Sequence, residues 1–120
     1  METERSILRI KSEKFAVRII KLYKHLAEAK KEFVLSKQIL RSGTSIGANL
    51  QESKFAISKK EFLVKVSISM KECSETLYWL RLLKETDYIT QKEFNSIYKD
   101  CDELSRMLFA TLKTTKTKME

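Results

Sequence analysis

The sequence predicts an all-α fold, an up-down-up-down antiparallel four-helix bundle, on three observations. The 120 residues contain no proline and two glycines, a composition poor in turn formers and suited to long helices. Apolar residues recur at alternating intervals of three and four along four separate segments, the spacing of a bundle core. Short interruptions that open on helix-capping residues divide these segments, and short connections favour antiparallel neighbours. No segment sustains the alternation of a strand. The length admits one domain around one core.

The helices are predicted near residues 13–30, 37–56, 59–85 and 91–113, with 1–11 and 114–120 as tails. Ser12 is placed as the N-cap of the first helix, before "EKFAVRII". Ser36 is placed as the cap of the second, with Leu35 and Leu40 as a hydrophobic staple. The third and fourth starts share one grammar, "ISKKEF" (57–62) and "ITQKEF" (89–94). Ser58 and Thr90 are caps, and Glu61 and Glu93 three residues on complete two capping boxes. Ile57 with Phe62, and Ile89 with Phe94, sit as staples.

The core seams follow. The first helix presents Phe15, Ile19, Leu22, Leu26 and Ala29, and the second presents Ile39, Gly43, Ile46 and Leu50. The third presents Phe62, Val66, Ser69, Cys73, Thr76, Leu80 and Leu83. The fourth presents Phe94, Ile97, Tyr98, Cys101, Leu104, Ser105 and Leu108. Both cysteines fall on these seams. They lack CxxC or Cys/His spacing, so they read as small core residues rather than a disulfide or a metal site.

Both glycines lie inside the second helix, in "RSGTSIGANLQES" (41–53). A glycine there costs about 1 kcal/mol relative to alanine, which the close approach of a neighbouring helix would offset. Gly43 is expected to face the interior, with Gly47 one step round; a local bend is the other reading. "GTSIG" is no phosphate loop, since it matches neither GxGxxG nor a Walker A run. Beside the glycines, Gln38, Arg41, Ser42, Ser45, Asn49 and Glu52 cluster on one flank. This stripe is either a solvated face or a partly buried polar network that specifies helix pairing, with Arg41 and Glu52 reaching inward.

The formal charge is +8, which favours polyanions. Residues 1–57 carry twelve Lys/Arg against six Asp/Glu, whereas residues 87–120 carry six of each. Lys14, Arg18, Lys21 and His25 share one flank of the first helix, and Lys37, Arg41 and Lys54 can add to it. A stripe of this kind contacts phosphates without reading sequence. The other reading is a solvated basic face, with His25 a surface residue. A second apolar patch lies on the third helix, where Ile68, Trp79 and Leu82 point about a third of a turn from the core seam, and Phe55 points away from the seam of the second. One core cannot easily bury both faces, which predicts a homo-oligomer.

"FAVRIIKLY", "LSKQILRSGTSIGANLQES" and "SKKEFLVKVSISMKECSETLYWLRLL" together resemble the four-helix-bundle family of proteins encoded within 23S rRNA intervening sequences. The resemblance spans residues 12–113 and is most specific at "RSGTSIGANLQES". That family includes the accessory variability protein of diversity-generating retroelements, which binds a reverse transcriptase and RNA, and its members form ring-shaped homopentamers. The resemblance therefore implies a bundle, a pentameric ring, possible RNA association and, if the gene lies in a retroelement, a reverse transcriptase partner. It implies no enzymatic activity, and the family's ribosomal label reflects gene location.

Two functional readings remain from different classes. The first is a nucleic-acid-binding accessory protein for RNA or single-stranded DNA, and the second is a protein–protein scaffold. An enzyme is not expected: the sequence has no cofactor motif, metal-ligand cluster or nucleophile–base pairing. No apolar run approaches the ~20 residues that span a bilayer, and "METERSILRIK" lacks a signal peptide's apolar segment, so a cytoplasmic protein is expected. Membrane-surface binding is not expected, because the apolar faces are needed for the core.

Overall fold

The computed structural model describes residues 2–119 as four helices: α1 (Glu2–Glu28), α2 (Leu35–Ser53), α3 (Lys59–Glu85) and α4 (Gln91–Met119). They form a rod of 48 × 22 × 20 Å. Each helix packs on its neighbours in chain order, and α4 closes back on α1. The pairing is antiparallel: along α1 and α2, Ser12 faces Gly47 and Ile19 faces Gly43. An all-α four-helix bundle is what the interval pattern predicts.

The core holds the seams. All seven residues predicted on α3 are buried, as are Ile39, Gly43, Ile46 and Leu50 of α2. Phe15, Ile19 and Leu26 of α1, and Ile97, Cys101, Leu104 and Leu108 of α4, fill the remaining space. Cys101 Sγ lies 3.7 Å from the Cys73 carbonyl oxygen, and both thiols are free. α2 runs unbroken through both glycines, so packing and not a turn accounts for them. Two buried hydroxyls join α2 to α3: Thr76 donates to Ser42 Oγ at 2.9 Å, and Ser69 donates to the Ile46 carbonyl.

Several boundaries differ from the sequence reading. Residues 2–11 and 114–119 are helical, not tails. Ser12 is no cap; it is buried within α1 and its hydroxyl donates to the Arg9 carbonyl at 2.8 Å. It occupies a core position, and Leu8 continues the seam beyond it. Thr115 does the same on α4, after Leu112. Ala29 lies in the connection after α1 and is exposed, because the chain leaves the helix through Lys31 in the left-handed region (φ 55°).

Ser36 is not a cap either. It is buried in the first turn of α2, whose N-cap residue is Val34. The capping group comes from the Glu32 carboxylate, which accepts from the N–H groups of Val34 (3.2 Å), Leu35 (3.1 Å) and Ser36 (2.7 Å). Both predicted capping boxes form: Glu61 N–H donates to Ser58 Oγ, and Thr90 and Glu93 exchange bonds of 2.7 and 3.1 Å. The Ile57–Phe62 staple does not. Phe62 turns inward beneath the Arg5 guanidinium, 4.1 Å from the ring centre, while Ile57 is 93% exposed.

Candidate nucleic-acid interface

The seam between α1 and α4 is the loosest of the four. Ion pairs span its edge: Arg18 reaches Asp100 at 2.6 Å and the hydroxyl and carbonyl of Ser96, and Lys11 reaches Glu103 at 2.6 Å. These long side chains bridge a groove with two hollows. One, of about 530 Å³, has Leu22, Ile89 and Ile97 as its apolar lining and Arg18, Lys21 and Lys92 as its cationic lining, with His25 and Glu93 beside them. The other, of about 460 Å³, lies towards the start of α1, beside Ile7, Ile10, Phe15 and Lys14.

Charge around this groove is uneven. Arg18 and Lys11 are consumed by their carboxylates. Glu93 is held by the Thr90 N–H and hydroxyl, which keep its carboxyl below the usual range, with smaller help from the His25 and Lys30 charges. Among the described residues, no side-chain hydrogen bond or ion pair engages Lys14, Lys21 or Lys92, while the His25 imidazole lies beside Glu93. The groove therefore presents free cations beside an apolar floor, an arrangement that attracts anions.

The seven residues singled out in the sequence do not converge. Lys14, Arg18, Lys21 and His25 share the α1 flank as expected, although Arg18 faces inward to α4. Lys37 and Lys54 lie near opposite ends of α2, both exposed. Arg41 is turned to α3, where it bridges Glu72 at 2.8 Å and Glu75. Lys92 was not foreseen. It reaches the site only because α4 returns beside α1, and no local signal around residue 92 marks that placement.

The polar stripe of α2 splits in the same way. Ser42 and the Arg41 and Glu52 carriers cross to α3, with Lys65 donating to Glu52 at 2.8 Å. Ser45 and Asn49 instead bond within α2, to the carbonyls of Arg41 and Ser45. Gly47 packs over the Ser12 backbone and hydroxyl. Among the described residues, no group of three or more His, Cys, Asp or Glu is placed to hold a metal ion, and no helix is long and apolar enough to cross a membrane.

The sequence matches the 23S rRNA-intervening sequence protein family over residues 4–110. The chain belongs to that family. The bundle is also similar to the crystal structure, at 1.70 Å, of a protein of unknown function from the S23 ribosomal protein family of Bacteroides thetaiotaomicron VPI-5482. The two share 49% identity over 92% of this chain and 98% of that one, with a TM-score of 0.91. No curated protein matches. The family match begins at residue 4, inside the stretch of α1 that the capping signal at Ser12 had left as a tail.

Residues proposed for subunit contact lie elsewhere on the bundle. Phe55 is 70% exposed in the α2–α3 connection. Ile68 stands on the outer face of α3, where Val64 and Tyr78 are exposed as well. Trp79 is half-buried: its ring meets Tyr78 edge-on at 5.1 Å, and its indole N–H donates to Glu75 at 2.9 Å. Leu82 is also half-buried.

Proposed function

We propose that this member of the 23S rRNA-intervening sequence family is a non-enzymatic accessory protein that binds single-stranded RNA along the α1–α4 groove and works as a homo-oligomeric ring. The observation that carries the reading is the set of free cations, Lys14, Lys21 and Lys92, beside an open apolar floor. A patch of three or four cations on one subunit neutralises few phosphates, and non-specific binding of that kind is weak, about 10⁻⁴–10⁻⁶ M at physiological salt. Repetition around a ring raises affinity by about 10²–10⁴ when one strand reaches several subunits. The outer face of α3, with Val64, Ile68 and Tyr78 exposed, supports self-association. Five subunits is the number the family resemblance implies.

Fluorescence anisotropy with a labelled single-stranded RNA tests the reading. Lys14→Glu, Lys21→Glu and Lys92→Glu combined should remove binding while the helical signal and oligomeric mass persist. Unchanged affinity in that variant would refute the site. The same α3 face supports a second reading, a scaffold whose partner is a protein; an intact oligomer that binds no RNA at low salt would favour it.

A further inference from the structure

We propose that the α2–α3 tip docks on an anionic lipid surface, with Phe55 and Ile57 entering the headgroup boundary and Lys54, Lys59 and Lys60 meeting the lipid phosphates. The starting observation is the staple that fails to form. Ile57 is 93% exposed and Phe55 70%, although large apolar residues at a connection ordinarily fold back onto the helix they precede.

Their exposure is built into an ordered turn. Phe55 and Ala56 donate to the carbonyls of Glu52 and Ser53 at 3.0 and 3.2 Å. Ile57 N–H donates to the Glu61 carboxylate at 3.2 Å, and Glu61 N–H donates to Ser58 at 3.0 Å. Ala56 packs towards the core, and the residues on either side of it project outward. The core therefore does not use every apolar residue, contrary to the argument that excluded membrane-surface binding.

Charge identifies the occupant. Lys54, Lys59 and Lys60 are exposed and make no ion pair among the described residues; the Lys54 ammonium lies 5.8 Å from the Phe55 ring centre. α4 ends at the same end of the bundle and adds exposed Lys116 and Lys118. Of the carboxylates at this end, Glu52 pairs with Lys65 and Glu61 caps α3, while Glu4 is exposed beside α4 and offsets only part of the lysine charge. The opposite end also exposes Phe33 and Val34 but sets Glu28, Glu85 and Asp87 among its lysines. Two apolar tips ringed by lysine match a bilayer of anionic lipid, where each nearby cation and each inserted side chain adds to the affinity. A single-stranded nucleic acid would use the lysines and stack a base on Phe55, but it would leave the aliphatic Ile57, the more exposed of the two, in water. The groove of a second copy is itself rimmed by the unpaired Lys21 and Lys92, which repel the tip.

Co-sedimentation of the full chain with vesicles tests this. The chain should partition onto phosphatidylcholine vesicles containing phosphatidylglycerol and not onto phosphatidylcholine alone. Phe55→Ser with Ile57→Ser should lower that partition by about tenfold or more, and Ile57→Ser alone should lower it with RNA affinity and oligomeric mass unchanged. Lys59→Glu with Lys60→Glu should abolish it. Three outcomes would overturn the proposal: no partition at low salt, partition indifferent to the Phe55 and Ile57 substitutions, or a fall in oligomeric mass or RNA affinity in Ile57→Ser, which would make the tip a subunit or RNA contact.

Discussion

A Cβ added to Gly43 would lie 2.7 Å from Ile19 Cγ1 and 2.8 Å from Ile19 Cγ2. α1 and α2 approach this closely only because residue 43 has no side chain. Alanine there gains about 1 kcal/mol of helix propensity, but Ile19 is anchored close to its own backbone and cannot swing aside. Overpacking of this kind costs about 1–3 kcal/mol. Gly43→Ala is therefore expected to destabilise the fold modestly, and Gly43→Leu more strongly, in urea unfolding. In a double-mutant cycle, Ile19→Ala should relieve part of the cost of Gly43→Ala. Additive effects would show that the contact is not what excludes a side chain.

Glu32 should make stability depend on pH. Burial pushes its carboxyl up, but the hydrogen bonds from Ser36, Leu35 and Val34 outweigh that and hold it below its ordinary 4.5. A depressed folded-state value means that the contribution is complete above about pH 4.5 and is lost as pH falls through the lowered value. Glu32→Gln should cost about 0.5–2 kcal/mol at neutral pH, the range of a helix-capping group. The difference from the native chain should shrink in acid. A difference that stays constant down to pH 2 would contradict the carboxylate's role.

Trp79 is the chain's one tryptophan, and it reports on Glu75. The indole N–H and the Arg41 guanidinium together hold the Glu75 carboxyl below its usual range. Trp79 emission should therefore be flat above about pH 4.5 and change only as the pH falls below it. Glu75→Gln should abolish the transition. The Arg41 bridge itself is half solvent-exposed, so Arg41→Met should cost only about 0.5–1 kcal/mol.

Cys73 and Cys101 should be inert in the native state. The contact with Cys73 and then burial push the Cys101 thiol far up, and thiolate is the reactive form. A thiol reagent such as DTNB should label neither cysteine without denaturant and both after unfolding. Rapid native labelling would place at least one thiol near the surface.

The α3 seam was fully legible, because Phe62 through Leu83 keep one interval pattern and Ser58 supplies its side-chain cap. The ends of α1 and α4 were not. Ser12 and Thr115 sit at core positions; the first separates Leu8 from the apolar seam of α1, and the second ends the apolar pattern of α4 at Leu112. The start of α2 was misplaced because its cap is the longer Glu32 side chain, reaching forward from outside the helix. In the candidate site, Lys14, Lys21 and His25 could be grouped from helical spacing within α1. Lys92 depends on the register between α1 and α4, and the capture of Arg18 by Asp100 and Ser96 depends on it too.

The central claim is that free cations along α1 and α4 bind RNA through its phosphates. Its most direct test is the salt dependence of affinity for a labelled single-stranded RNA, measured on the native chain and on Lys14→Glu/Lys21→Glu/Lys92→Glu. Each cation–phosphate contact adds about −0.7 to the slope of log affinity against log salt. The account predicts a steep negative slope that flattens in the variant. A slope near zero, or one equally steep after the three substitutions, would contradict it.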